Sequence, residues 1–337
     1  MVKRLTGSGF ADSNQQSHPR LFALVERARA LPALPTAVVF PHDVSSLKAA
    51  IDAASLGLIA PVFYGSETRI REIAALANLT PVGEIEETGD TAASAANRAV
   101  NDAGAGRVRA LMKGSLHTDE LLAPVVARDS PIRGAGRITH TFLFDLPRYH
   151  KLLALTDAVI NIAPNVRTKK DALLNAARLL ECLGVVQPKV AILAAVEAIN
   201  PKIQATVDAV ALVAMATSGQ LGSAWVDGPF GFDSAISSIA AKAKGVISKV
   251  AGDPDLLLVP DLNSGNMLYK SLVYIGGGEC AGLVQGAQVP IILTSRADSW
   301  FARVASCALA SVASGVPAPE RQDLLNFNGF SSQSQHC

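Results

Sequence analysis

The hydrophobic positions of the chain fall into two kinds of segment that alternate along its length. Short runs rich in Val, Ile and Leu predict strands, and longer Ala-rich stretches with helical spacing predict helices. The predicted strands are 36–40, 59–65, 107–114, 137–146, 154–164, 189–196, 223–229, 255–260 and 289–294, and the predicted helices are 45–58, 66–79, 91–106, 167–184, 201–217, 232–245, 266–276 and 299–315. This alternation predicts an α/β fold, in which helices cover both faces of a mainly parallel, doubly wound sheet.

Polar and small residues follow several of the predicted strands. Ligands of doubly wound sheets bind in the crevice beyond the carboxyl ends of the strands. We therefore expect these residues to lie on one side of the sheet and to include the site. They are Lys113 and Gly114, Asp145, 161–165, 227–229, 260–266, and Ser295, Arg296 and Asp298.

The last of these segments reads VPIILTSRADSW, and it changes abruptly from apolar to charged. Ser295 and Asp298 are both suited to cap the helix that follows. Arg296 is not, because an arginine at a helix start meets the positive end of the helix dipole. A guanidinium beside exposed helix N–H groups is instead suited to hold phosphate. Asp298 can pair with Arg296 or act as a base.

Two further motifs are candidates for ligand binding. PDLNSGN (260–266) is typical of a helix cap, and a cradle of N–H groups for an anion is the alternative. IGGGECAG (275–282) can be fitted to a dinucleotide-binding pattern, but the segment before it is predicted as helix, so the glycines are expected to end that helix. Lys113, at a strand end, is either a phosphate contact or a solvated lysine.

Composition restricts the function further. The net charge is +1 and aromatic residues make up 5%, which argues against a nucleic-acid-binding protein. No apolar run is long enough to cross a membrane, and residues 1–20 are predicted to be a flexible polar tail rather than a signal. The four cysteines are far apart and the six histidines lack metal-ligand spacing, so we expect a cytoplasmic protein with no metal site.

Several segments together resemble the phosphate acetyltransferase and phosphate butyryltransferase family, the phosphotransacetylases. They are RALMKGSLHTDELLAPVV, FLFDLPRYHKLLALTDAVINIAP, VDGPFGFDSAIS and DLLLVPDLNSGNMLYKSLVYIGGGECAGLVQGAQVPIILTSRADS. The resemblance runs from about residue 35 to residue 315. It implies an isocitrate/isopropylmalate dehydrogenase-like fold, with two α/β/α sandwich domains and a central cleft. The implied domains are 21–147 plus 297–337, and 148–296, and the implied assembly is a homodimer.

The resemblance also implies the chemistry. The family transfers an acyl group reversibly between coenzyme A and inorganic phosphate, in a ternary complex without a cofactor, so the expected substrates are phosphate and acetyl-CoA or another short acyl-CoA. The implied catalytic residues are Ser295, Arg296 and Asp298, with Asp298 as either the base or a helix cap. The implied substrate-binding residues are Lys113, Gly114, Arg133, Asn263, Ser264, Gly265, Asn266 and Lys270.

Three points stay open at this stage. The preferred acyl group is acetyl or, alternatively, butyryl. The acetyltransferases carry an arginine near the position of Pro124 that this chain lacks, and Arg128 or Arg133 is a candidate substitute. An NAD(P)-dependent oxidoreductase on the same fold is the alternative from another class.

Overall fold

The computed structural model describes residues 17–294 and 298–315, in which strands and helices alternate as predicted. The elements are α1 (Pro19–Arg29), β1 (Leu34–Val39), α2 (Val44–Ser55), β2 (Ile59–Gly65), α3 (Glu67–Leu76), β3 (Glu84–Glu87), α4 (Ala92–Gly104), β4 (Ala110–Lys113), α5 (Thr118–Val126), β5 (Thr139–Asp145), β6 (Leu153–Thr156), α6 (Val166–Cys182), β7 (Lys189–Leu193), α7 (Gln204–Thr217), β8 (Trp225–Phe230), α8 (Phe232–Ile236), α9 (Ser238–Ala243), β9 (Leu256–Leu258), α10 (Leu262–Tyr274), β10 (Glu279–Gln285), β11 (Ile291–Ile292) and α11 (Trp300–Ser314).

Short polar side chains fix where most of the longer helices begin. Each accepts a hydrogen bond from the backbone N–H three residues later, which satisfies a donor that the helix itself leaves unpaired. These caps are Asp43, Ser66, Thr91, Asn165, Asp261 and Ser299. Helix α1 begins at Pro19, inside the segment 1–20 that was predicted to be a flexible tail, and that boundary was therefore placed too late.

Within the described residues, the strands form one eleven-stranded sheet, in the order β3-β2-β1-β4-β11-β10-β5-β6-β9-β7-β8. The pairs are parallel from β3 to β11 and again from β6 to β8. Between these two blocks, β10 pairs antiparallel with β11 and with β5, and β5 pairs antiparallel with β6. The sheet is mainly parallel, as predicted, but it is mixed at its centre.

The antiparallel centre overturns the expectation that the polar strand ends share one side of the sheet. The three reversals make β6, β7, β8 and β9 run opposite to β1, β4 and β11. The carboxyl end of β4 at Lys113 and that of β9 before Asp261 therefore point in opposite directions along the sheet. A pattern of apolar runs does not reveal strand direction, which is why the sequence suggested one common crevice.

Side chains along the strands point alternately to the two faces of the sheet, and the helices cover these two faces differently. On one face, α1, α2, α3, α6, α7 and α11 cover a single hydrophobic core that extends across both blocks. On the other, α4 and α5 cover one core and α8, α9 and α10 cover a second. We call these the continuous face and the divided face. Within the described ranges, no helix is both long and apolar enough to span a membrane.

Candidate active site

The end of β4 is the first part of the candidate site. The Gly114 N–H donates to the Val39 carbonyl oxygen at 2.9 Å, which folds the chain sharply against the end of β1. A Cβ on Gly114 would lie 2.2 Å from the Val39 oxygen and 2.4 Å from the Phe40 oxygen, a distance that no side chain tolerates. Gly114 is therefore required by packing, and this close turn is what presents Lys113 at the strand end.

A small cavity, open to solvent, lies beside Lys113. It is formed by the ends of β4 and β11 and by the facing parts of α2 and α11, and we call it the α2–α11 cavity. Two cationic side chains, Lys113 and Arg303, contribute to its wall. Its lining residues are Asp43, Ser45, Ser46, Ala49, Met112, Lys113, Gly114, Thr294 and Arg303.

Arg303 is a site residue that the sequence analysis missed. It lies one turn into α11, and its Nη1 donates to the Ser45 hydroxyl oxygen of α2 at 2.5 Å. Asp43 caps α2 by accepting the Ser46 N–H at 2.8 Å. An arginine this close to a helix start is disfavoured by the helix dipole, as was argued for Arg296, and the same signal could have identified Arg303.

Asp298 lies just before α11, at the divided face. Ser299, not Asp298, caps α11, because its hydroxyl oxygen accepts the Ala302 N–H at 2.9 Å. The Asp298 carboxylate instead accepts a hydrogen bond from the Tyr269 hydroxyl of α10 at 3.3 Å. The helix-cap alternative for Asp298 is therefore wrong, and its side chain joins α10 to the start of α11.

Tyr269 is a buried partner for this carboxylate. Its ring stacks on Phe142, with 4.1 Å between ring centroids and 11° between ring planes. Burial, reinforced by the Asp298 carboxylate, raises the pKa of the Tyr269 hydroxyl well above its usual range, so the hydroxyl remains a donor. Burial and then Asp298 also raise the pKa of the nearby Cys280 thiol. Tyr269 and Cys280, two groups close to Asp298, thus stay protonated at physiological pH.

The segment PDLNSGN begins α10, at the opposite end of the sheet from Lys113. Asp261 caps the helix by accepting the Ser264 N–H at 3.0 Å, as the cap interpretation predicted. A Cβ on Gly265 would lie 2.7 Å from the Val259 side chain, and Asn266 donates to the Ala158 carbonyl at 3.4 Å, so both face the neighbouring strand ends. The predicted residues Asn263 and Lys270 are exposed on the same helix.

Arg133 is not among the residues that line the α2–α11 cavity. It follows α5, whose first residue comes shortly after the end of β4, and its Nη1 donates to the Val126 carbonyl at the far end of that helix, at 2.6 Å. Arg133 and Arg128 are both exposed. Ser295 and Arg296, the other two predicted catalytic residues, lie outside the described residues, between Thr294 of the α2–α11 cavity and Asp298.

His140 of β5 is a second group that the sequence analysis left out. It is fully buried on the divided face, and neither ring nitrogen makes a well-formed hydrogen bond with the residues that the structure describes. The ring contacts Phe142, at 4.3 Å between centroids, and lies over Gly282, where a Cβ would be 2.9 Å from Nε2. Burial lowers the pKa of His140 to about 3, and the Leu293 carbonyl only partly opposes this shift.

A family model described as phosphate acetyl/butaryl transferase matches residues 84–311, which is more than half of the chain. A phosphate acetyltransferase from Rhizobium meliloti is 46% identical over 291 residues, which cover 86% of this chain and 92% of that protein. The chain belongs to the phosphate acetyl/butaryl transferase family.

Other members of the phosphate acetyl/butaryl transferase family extend the comparison to a different acyl group and to the fold. A probable phosphate butyryltransferase from Bacillus subtilis is 45% identical over 204 residues, or 60% of this chain and 68% of that one. The crystal structure of a branched-chain phosphotransacylase from Enterococcus faecalis superposes with a TM-score of 0.72 at 27% identity, covering 83% of this chain and 99% of that one.

The glycine cluster 275–282 does not have the order of elements that a dinucleotide-binding site requires, which agrees with membership of the phosphate acetyl/butaryl transferase family. A dinucleotide fingerprint requires a strand, then glycines, then a helix. Here helix α10 ends at Tyr274, Gly277 adopts a φ of 65°, and strand β10 follows, so the order is reversed. The glycines end a helix, as predicted. The described part of the chain contains no group of three or more His, Cys, Asp or Glu side chains able to hold a metal ion.

Proposed function

We propose that this protein is a phosphate acyltransferase that moves an acyl group reversibly between coenzyme A and inorganic phosphate, with acetyl-CoA as its donor. The observation that carries the proposal is the 46% identity with a phosphate acetyltransferase across 92% of that protein's length. The site geometry supports it, because cationic side chains suited to phosphate and a carboxylate suited to a proton flank the same short segment after β11.

The reaction needs no redox step. A phosphate oxygen attacks the thioester carbonyl, the carbon–sulfur bond breaks, and the departing thiolate takes up a proton. In the reverse direction the thiol of coenzyme A must lose that proton, because the thiolate is the nucleophile. We assign this proton transfer to Asp298, the phosphate contact to Arg296, and stabilisation of the charge on the acyl oxygen to Ser295.

The interaction with Tyr269 supports Asp298 as the base. The hydrogen bond from the Tyr269 hydroxyl orients the Asp298 carboxylate, and so fixes the direction in which the other lone pairs of that carboxylate point. Because Ser299 supplies the cap of α11, Asp298 is not needed to begin the helix. Tyr269 is thus a positioning residue for the base in this proposal. It lies on α10, which packs on a different part of the sheet from α11.

A phosphate butyryltransferase is the second candidate, since a probable butyryltransferase is 45% identical over a shorter region. Initial rates of CoA release should be measured with acetyl-CoA and with butyryl-CoA, each with phosphate and with EDTA present. We expect release with both donors and a higher kcat/KM for acetyl-CoA. A higher kcat/KM for butyryl-CoA would support the second candidate, and no release with either donor would exclude acyl transfer.

The wider organisation is also part of the proposal. We infer an isocitrate/isopropylmalate dehydrogenase-like fold, with domains 21–147 plus 297–337 and 148–296, acting as a cytoplasmic homodimer without a cofactor. The divided face supports a cleft between two domains. Large apolar side chains in and after α9 and α10, such as Ile239, Ile247 and Ile275, are more than 80% exposed, which supports a second copy on that layer. Light scattering coupled to gel filtration tests the dimer.

A further inference from the structure

The α2–α11 cavity combines two cations with the first turn of a helix. We propose that it is the binding site for the phosphate dianion and that Arg303, together with Lys113, holds it. The inference rests on the proposed function, and it adds a phosphate ligand that lies outside the Ser295–Asp298 segment. The chemistry it requires is that of a small tetrahedral oxyanion, which can approach this cavity from solvent.

The electrostatics of the cavity favour an anion. Lys113 and Arg303 contribute two positive charges to the wall, and Asp43 contributes one negative charge. That carboxylate accepts the Ser46 N–H at 2.8 Å, so part of its charge is compensated by its own helix. Ser45 and Ser46 belong to the first turn of α2, where the helix dipole also favours negative charge. Among the charged side chains that line the cavity, two are cations and one is a carboxylate.

The cavity lies next to the proposed catalytic residues along the chain. Thr294 lines it and immediately precedes Ser295, whereas Asp298 lies four residues beyond Thr294, against α10. The chain after β11 therefore passes from the cavity to the carboxylate within one short segment. A phosphate held by Arg303 and Lys113 would therefore lie beside Thr294, four residues before Asp298.

A purely structural role for Arg303 is the alternative. Arg303 does connect α11 to Ser45 of α2. However, the same two helices are already joined by the Trp300 indole N–H, which donates to the Asp52 carboxylate at 2.8 Å. A connection between helices also does not require a positive charge in the first turns of α11, where the helix dipole opposes it. Phosphate binding accounts for both the charge and the open cavity beside it.

The test is a set of variants that separates the positive charge of Arg303 from the connection between α11 and α2. Arg303→Ala removes the charge, Arg303→Lys keeps the charge without the planar fork, and Trp300→Phe removes the other connection between α11 and α2 while leaving the cavity intact. KM values for phosphate and for acetyl-CoA, and melting temperatures, should be measured for each. Binding of inorganic phosphate should be measured directly by isothermal titration calorimetry.

We expect Arg303→Ala to raise the KM for phosphate about 10- to 100-fold, as for the loss of a charge-assisted hydrogen bond, and to change the KM for acetyl-CoA less than about twofold. Arg303→Lys should fall between, and Trp300→Phe should lower only the melting temperature. An unchanged phosphate KM in Arg303→Ala, or an equal rise for both substrates, overturns the inference. If the wild-type protein shows no acyl transfer, the proposed function fails, and calorimetry with phosphate on wild type and Arg303→Ala still decides whether the cavity binds it.

Discussion

A buried ion pair on the continuous face of the sheet contrasts with a buried histidine and a tyrosine–carboxylate contact on the divided face. On the continuous face, Lys169 of α6 and Asp208 of α7 form an ion pair at 2.7 Å, and Gln204 donates to the other Asp208 oxygen at 2.7 Å. On the divided face, neither His140 ring nitrogen makes a well-formed hydrogen bond within the described residues, and the Tyr269 hydroxyl donates to Asp298. A buried polar group is costly unless it is paired, so unpaired groups concentrate where a ligand or a moving part has use for them.

The comparison indicates that the continuous face serves stability and the divided face serves activity. The continuous core joins both blocks of the sheet into one layer and contains the paired Lys169 and Asp208. The break between the other two cores, which lies over the antiparallel centre of the sheet, brings together residues from α10, β5 and the start of α11. Changes to paired groups on the continuous face should therefore alter stability, and changes at the break should alter activity or its pH dependence.

The largest effect is expected from the ion pair. Asp208→Asn leaves the Lys169 ammonium, whose side chain is 5% exposed, without its counter-charge, and this should cost about 3–5 kcal/mol of unfolding free energy. The measurement is urea denaturation, with kcat per folded molecule unchanged. Glu72→Gln, which breaks an exposed pair with Arg69, should cost less than about 1 kcal/mol. A similar loss in the two variants would contradict the assignment of the pair to a rigid layer.

Asp298→Asn tests the other side of the comparison. It should lower kcat by about 10²- to 10⁴-fold, because an amide cannot accept the proton, with little change in unfolding free energy. Asp102→Asn is the matched control, because Asp102 accepts a hydrogen bond from Tyr64 at 2.8 Å and is also buried. It should leave kcat near the wild-type value. A near-wild-type kcat in Asp298→Asn would remove its role as the base.

His140 predicts a dependence of stability on pH. Unfolded, its imidazole takes up a proton below pH 6.5, whereas in the fold it does so only near pH 3, since burial lowers its pKa. Stability should therefore fall as the pH drops below 6.5, by about 1.4 kcal/mol per unit from this group alone. His140→Leu should lose less unfolding free energy between pH 7 and pH 5 than the wild type does. Equal acid sensitivity in both proteins would show that His140 is not the responsible group.

The smallest effect is expected from Tyr269→Phe, which removes one hydroxyl and keeps the ring on Phe142. The loss of a hydrogen bond worth about 1 kcal/mol should reduce kcat roughly fivefold. The acid limb of the kcat/KM profile should also move to higher pH, because a donor favours the charged form of a carboxylate. Tyr64→Phe makes the same change at Asp102 and should move neither quantity. A loss of stability in Tyr269→Phe with an unmoved pH profile would leave Tyr269 as a packing residue only.

Local patterns were sufficient for most of the fold. The predicted segments 189–196, 232–245 and 299–315 correspond to β7, to α8 with α9, and to α11, because apolar spacing and capping residues are local signals. Strand β10 was missed, because its Gly-rich start was interpreted only as a turn. Yet β10 pairs antiparallel on both sides and so sets the opposite directions of the two blocks.

The site was predictable only where the signal was a residue out of place in its own segment. Asp298 stood out in that way, and Gly114 and Lys113 were identified by their position at a strand end. Tyr269 and His140 could not be identified from the sequence. An aromatic residue in a helix and a histidine in an apolar strand are ordinary core residues until the fold shows what they face. Arg303 carried a local signal that was used for Arg296 alone.

The position of β11 has a consequence for how the chain is made. This two-residue strand fills the space between β4 and β10, and it is the last strand in the described chain. During synthesis the N-terminal half leaves the ribosome first, yet its strand β4 keeps an open edge until residue 292 has emerged. A nascent chain interrupted just before β11 would thus present two unpaired strand edges at the middle of its sheet rather than at its ends.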